Sequence, residues 1–187
     1  TEKRTPEILR IMGESYYRMG NYVNAADYLG DFMESRSSAA GRTDHYQLGF
    51  ALYKTQAYNK AIEHFQEVTG REDTLAQYAY YYLADCYLKT DRKKFALNAF
   101  LSAYKLPFDV EIKEDALFHH AQLAYELSFD PYSEVVRALR QYLAEYPNSS
   151  RNDEAYEFLY NIALATRNYK DALDALDNIR SKDTEHR

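Results

Sequence analysis

Tryptophan is absent from these 187 residues, cysteine occurs once, and Gly and Pro number only 6 and 4. A single cysteine, Cys86, excludes an internal disulfide and says nothing of redox compartment. It sits in the aromatic run Tyr80-Tyr81-Tyr82-Leu83-Ala84-Asp85-Cys86-Tyr87, where a small packed thiol is the natural reading. Scarce Gly and Pro leave little punctuation, which suits long helices joined by short turns. No stretch approaches the roughly 18 apolar residues of a membrane-spanning helix, so no direct membrane insertion is expected. Lys and Arg (23) are outnumbered by Asp and Glu (29), a net charge of −6 that argues against nucleic acid or an anionic bilayer as partner. The one basic cluster, Arg92-Lys93-Lys94, falls at an expected turn and reads as solvated.

Catalytic signatures are missing too. There is no His-Glu-x-x-His, Gly-rich phosphate loop, nucleophile elbow or Cys-x-x-Cys. His119-His120 is the only adjacent pair, and helical neighbours point about 100° apart, so a shared metal would need a third ligand. His45, His64 and His186 are scattered, and Glu111, Glu114 and Asp115 fit a solvated helix face. The expectation is no enzyme, no metal and no cofactor. The chain starts at Thr1 without Met or a signal-like stretch, which reads as a segment of a longer protein.

What is present is tyrosine, 20 of them, and a repeat. Small residues or their aromatic stand-ins recur at 13, 49, 84, 121 and 160, and a second series at 25, 61, 96, 135 and 172. The first series is spaced 36, 35, 37 and 39, the second 36, 35, 39 and 37. A period near 36 with apolar residues at three- and four-residue steps predicts stacked helix pairs rather than one globular core. The pairs are expected at 6–19 with 22–35, 42–55 with 58–69, 75–89 with 92–105, 112–128 with 132–146 and 152–166 with 169–181. Thr5-Pro6-Glu7 supplies a helix start. Breakers fall between pairs at Ser37-Ser38-Ala39-Ala40-Gly41, Gly70-Arg71-Glu72-Asp73, Leu106-Pro107 and Tyr146-Pro147-Asn148-Ser149-Ser150. The two anchors stand 12 apart in four copies and 14 apart in the fourth, where Ser128-Phe129-Asp130-Pro131-Tyr132-Ser133 reads either as a local insertion or as a contact loop.

The register Leu9, Gly13, Tyr16, Ala25, Leu29 in the first copy resembles the tetratricopeptide repeat family, as does Tyr80, Ala84, Tyr87, Ala96, Phe100, Ala103 in the third. The resemblance extends over the whole chain, with repeats at 6–40, 42–74, 75–110, 111–150 and 151–187 of a single solenoid. Phe32, Val68, Tyr142 and Ile179 depart from the pattern late in the second helices, and Tyr160 with Ala163 exchanges the usual sizes. The resemblance implies an all-α, right-handed superhelical solenoid of about five antiparallel helix pairs. The Tyr146–Ser150 ending also resembles repeats of bacterial outer-membrane assembly lipoproteins, and Phe129-Asp130-Pro131-Tyr132 resembles large repeat proteins of Bacteroidetes-type bacteria. Together these suggest a periplasmic or cell-envelope setting, with the cytoplasm as the alternative.

In this family the first helix of each pair lines a concave groove, and that implies a protein or peptide partner. Carried onto this chain, the groove positions include Tyr17, Tyr46, Phe50, Tyr53, Tyr78, Tyr81, Asp85, Lys89, Phe118, Gln122 and Tyr125. Exposed aromatics flanked by charge suit an extended peptide or a helix; the alternative is that the tyrosines only pack between repeats. Family members that clamp a terminal carboxylate do so with Lys and Asn, and here Arg10, Glu14, Gln47, Tyr78 and Tyr81 occupy those places, so no such clamp is expected. The main alternative function is a spacer or self-association module. Ala172, Leu173, Ala175, Leu176 and Ile179 need cover and only the polar Ser181–Arg187 tail follows, which suggests an end-to-end homodimer.

Overall fold

The computed structural model describes residues 5–35, 40–127 and 134–179. Within them the chain forms ten α-helices and no strand: α1 (Pro6–Arg18), α2 (Tyr22–Glu34), α3 (Arg42–Lys54), α4 (Tyr58–Val68), α5 (Thr74–Lys89), α6 (Lys93–Lys105), α7 (Val110–Leu127), α8 (Glu134–Glu145), α9 (Asn152–Ala165) and α10 (Tyr169–Asn178). This is an all-α solenoid of repeated helix pairs. The Ser128–Ser133 turn, Ser37–Ala39 and the Ser181–Arg187 tail lie outside the described residues. Contacts divide the chain into two compact units, Thr1–Lys113 and Glu114–Arg187.

Helix starts follow local chemistry. The Ile8 N–H donates to the Thr5 hydroxyl ahead of Pro6, the Asn24 N–H to Asn21 Oδ1 (3.3 Å), and the Ala76 N–H to Asp73 Oδ1 (2.8 Å). The four turns inside pairs that fall among the described residues share one geometry. Gly20, Gln56, Asp91 and Arg167, each seven residues after a first anchor, have φ of 74°, 64°, 57° and 59°. In the first, Gly20 N–H donates to Tyr17 O and Asn21 N–H to Tyr16 O; the other three repeat this pair of bonds. It is the left-handed helix ending that satisfies the last carbonyls, and only the first copy uses the glycine that suits it.

The small anchors set how near the second helix comes. A Cβ on Gly13 would lie 2.6 Å from Leu29 Cγ, and one on Gly49 3.2 Å from the Phe65 ring. Ala25, Leu29, Ala61, Phe65, Ala84, Ala96 and Phe100 fill the first unit's core beside them. Two register-equivalent residues then fasten consecutive repeats. Arg42 donates to Val68 O (2.6 and 3.0 Å) and pairs with Asp73, joining the end of α4 to the cap of α5. Gln77, fully buried, donates to Leu106 O (2.6 Å), Asp109 O (3.1 Å) and Ala103 O (3.3 Å), and accepts from the Asp109 N–H (2.7 Å). Both satisfy carbonyls left free at a helix end.

In the second unit, Val135, Leu139, Tyr142, Ala155, Ile162 and Ala172 form the core. Tyr160 is half-buried and Ala163 buried. The Tyr142 hydroxyl lies between Glu114 (3.2 Å) and Ser149 (2.7 Å), and Asn152 Nδ2 donates to Tyr146 O (3.0 Å).

Candidate interaction surface

The first helices of the repeats in the first unit, α1, α3 and α5, gather the aromatic residues into one array. Phe50 is its hub: Tyr82 meets it edge-on at 4.9 Å, Tyr22 at 5.5 Å and Tyr17 at 5.8 Å, while Tyr46 stacks at 6.1 Å and Tyr53 tilts at 6.1 Å. Tyr53 lies 5.2 Å from Tyr82, and Tyr81 stands edge-on to Tyr82 at 5.4 Å and to Phe100 at 5.8 Å. These spacings are those of favourable offset and edge-to-face pairs. Lys54 Nζ sits 5.2 Å above the Phe50 ring. Tyr17, Tyr46, Phe50, Tyr53, Tyr78, Tyr81 and Tyr82 are all half-buried, and all but Tyr78 make the ring contacts above.

The polar edges are fixed as well. The Tyr53 hydroxyl donates to Asp85 (2.7 Å) and the Tyr78 hydroxyl to Asp109. Burial pushes the Tyr17 phenol up to about 12; burial also raises Tyr46, Tyr53 and Tyr82, and the Asp109 hydrogen bond raises Tyr78. The phenols therefore stay protonated near neutral pH and serve as donors. Cys86 beneath is raised to about 12 by burial and then by Asp85, which removes it as a thiolate nucleophile near neutral pH.

Of the sequence-derived positions, Tyr17, Tyr46, Phe50, Tyr53, Tyr81 and Asp85 come together here, and Lys89 is exposed. Tyr22 and Tyr82 join them although the groove register does not select them; Tyr82, four residues after Tyr78 and last of the run Tyr80-Tyr81-Tyr82, was the available signal. In the second unit Phe118 is buried at 4% exposure, against expectation. Tyr142, where the repeat normally has a small residue, covers it at 5.2 Å, and the Arg151 guanidinium lies 5.0 Å over its ring while pairing with Asp115. Gln122 lies 3.3 Å from His119 Nδ1, and Tyr125 packs on Phe158 at 4.8 Å.

The histidines also differ from expectation. His45 and His64 are not scattered: they meet across α3 and α4 with Nδ1 atoms 3.1 Å apart, one ring donating to the other. Burial, and secondarily His45, lowers the pKa of His64. His120 is buried, and His119 is raised by its Asp115 partner; His186 lies outside the described residues. Among the described residues no group of three or more His, Cys, Asp or Glu is placed to hold a metal ion, and no helix is long and apolar enough to cross a membrane.

Stacked helix pairs with a register of small anchors define a repeat scaffold of the protein-interaction class. The tetratricopeptide repeat model matches residues 8–37 and 115–149, within the first and fourth helix pairs. Among solved structures, it resembles YrrB, described as a tetratricopeptide-repeat protein with an unusual peptide-binding site, at 18% identity and TM-score 0.70 over 97% of this chain and 88% of that one. It also resembles MamA of AMB-1, at 15% identity and TM-score 0.71 over 96% of this chain and 92% of that one. No curated protein sequence matches the chain.

Proposed function

We propose that the aromatic array on α1, α3 and α5 is a docking surface for a peptide or protein segment carrying apolar anchor residues. The carrying observation is the Phe50-centred set of half-exposed rings. Rings braced by their neighbours lose little freedom on binding, and aromatic residues of this kind dominate interface energetics. Asp85 and Asp109 already hold two phenols, so a ligand meets an organised surface with donors and acceptors at its margin. The peptide-binding site of YrrB adds support by analogy of fold.

The test is selection from a displayed peptide library, followed by calorimetry on the wild type and on a Tyr17→Ala/Tyr81→Ala variant with unchanged helicity. Selected peptides should lose about tenfold or more in affinity on the variant, the usual scale for truncating anchors. Equal binding by both proteins, or failure to select any peptide, would count against the surface.

Self-association is a second reading, favoured by α10, where Tyr169 is 63% and Leu173 64% exposed.

A further inference from the structure

Internal repetition shows where the second repeat departs from the others. Four residues before the first anchor and three after the second, the other pairs hold Leu9 with Tyr28, Tyr80 with Ala99, Leu117 with Ala138 and Tyr156 with Ala175. In the second pair both positions are histidine, His45 on α3 and His64 on α4. The first anchor of that repeat is Gly49, and a Cβ there would stand 3.3 Å from His64 Cβ, so α3 and α4 run close at this level. The approach brings the two Nδ1 atoms to 3.1 Å and the ring centroids to 5.3 Å, with both residues half-buried.

Two nitrogens at that separation can share a proton, and they can equally share a metal ion. With metal–nitrogen bonds of about 2.0–2.1 Å, nitrogens 3.1 Å apart subtend about 100° at the metal, between a right angle and the tetrahedral angle. Histidine ligates as the neutral ring. Burial, with His45 second, lowers the pKa of His64, so protons compete weakly there near neutral pH. Glu63 and Glu67, on the same helix as His64, favour positive charge at its ring.

We propose that His45 and His64 chelate a divalent late first-row transition ion such as Zn²⁺ through their Nδ1 atoms, with water completing the coordination. Imidazole nitrogen suits these ions, and one ligand from each helix ties α3 to α4 when the ion binds. In the metal-free pair one ring donates its Nδ1–H to the other. On chelation that ring carries its proton on Nε2 instead, so both rings ligate as neutral Nε2–H tautomers and the pair releases no net proton.

The test is titration of the whole chain, labelled with 15N at histidine, with ZnCl2 in a buffer that does not bind the metal. The Nδ1 resonances of His45 and His64 should move together and saturate. Competition against a chromophoric zinc chelator should then give an affinity that falls about tenfold or more in His45→Asn and in His64→Asn alike, since either substitution leaves a single ligand. Circular dichroism checks that both variants are folded, and the wild-type titration decides the point even if one is not. Shifts at only one of the two rings, or at neither, would overturn the proposal, as would undiminished affinity in either folded variant.

Discussion

Replacing glycine by alanine at three helical positions separates the intrinsic gain of the substitution from the cost of helix approach. In a helix interior the exchange is worth about 1 kcal/mol in favour of alanine. Gly30 in α2 has nothing within 4 Å of the point where a Cβ would stand, so Gly30→Ala should keep that gain and stabilise by about 1 kcal/mol. At Gly49 the new methyl would meet the Phe65 ring at 3.2 Å and His64 Cβ at 3.3 Å. A shift of a few tenths of an ångström consumes the gain, and Gly49→Ala should be near neutral. At Gly13 it would sit 2.6 Å from Leu29 Cγ, 2.8 Å from Cδ2 and 3.0 Å from the Leu29 backbone nitrogen. Backbone cannot swing aside as a side-chain tip can, so α1 and α2 must separate. Overpacking of about 1–3 kcal/mol then outweighs the helix gain, and Gly13→Ala should destabilise by about 1–2 kcal/mol. Urea unfolding followed by far-ultraviolet circular dichroism reads the order. Equal stabilisation at all three positions would refute the close approach of α1 and α2 at Gly13 and with it the anchor reading of the repeat.

Other expectations follow from the same geometry. Gln56→Gly and Arg167→Gly should each raise stability by up to about 1 kcal/mol, since a non-glycine residue in the left-handed region costs about 1–2 kcal/mol; unchanged melting would count against the turn assignment. Gln77→Leu strands buried carbonyls and the Asp109 N–H, and should cost about 2–4 kcal/mol with faster hydrogen exchange at the Asp109 amide. His64 has a pKa depressed below 6.5, so the unfolded chain binds its proton more readily and the associated stability is present above that value. It is lost as pH falls below about 6.5, where His64 would have to carry a charge in a partly buried position beside His45. Superimposable stability profiles of wild type and His64→Asn between pH 8 and about 5 would contradict this.

The helices were legible because their punctuation is local. Pro6, Asn21 and Asp73 mark starts by their own chemistry, and the observed helices fall within a few residues of the expected spans. The left-handed turns at Gln56, Asp91 and Arg167 were not, since none is the glycine that announces such a conformation and only register with Gly20 reveals them. The aromatic array was legible in part: register singles out Tyr17, Tyr46 and Phe50, each on its own helix face, but cannot say that Tyr82 turns towards Phe50. Phe118 shares the register of Tyr46 and Tyr81 and yet is buried, because Tyr142 and Arg151, distant in sequence, close over it. The meeting of His45 and His64 depends on two helices approaching at Gly49, which no single-helix pattern encodes.

The absence of tryptophan offers the most direct test of the docking surface, because a tryptophan placed in a selected peptide is then the only indole in the sample. On titration with wild-type protein its emission should shift to shorter wavelength and saturate, and on Tyr17→Ala/Tyr81→Ala the shift should be lost. An equal, saturable shift with both proteins would place the peptide elsewhere and contradict the account.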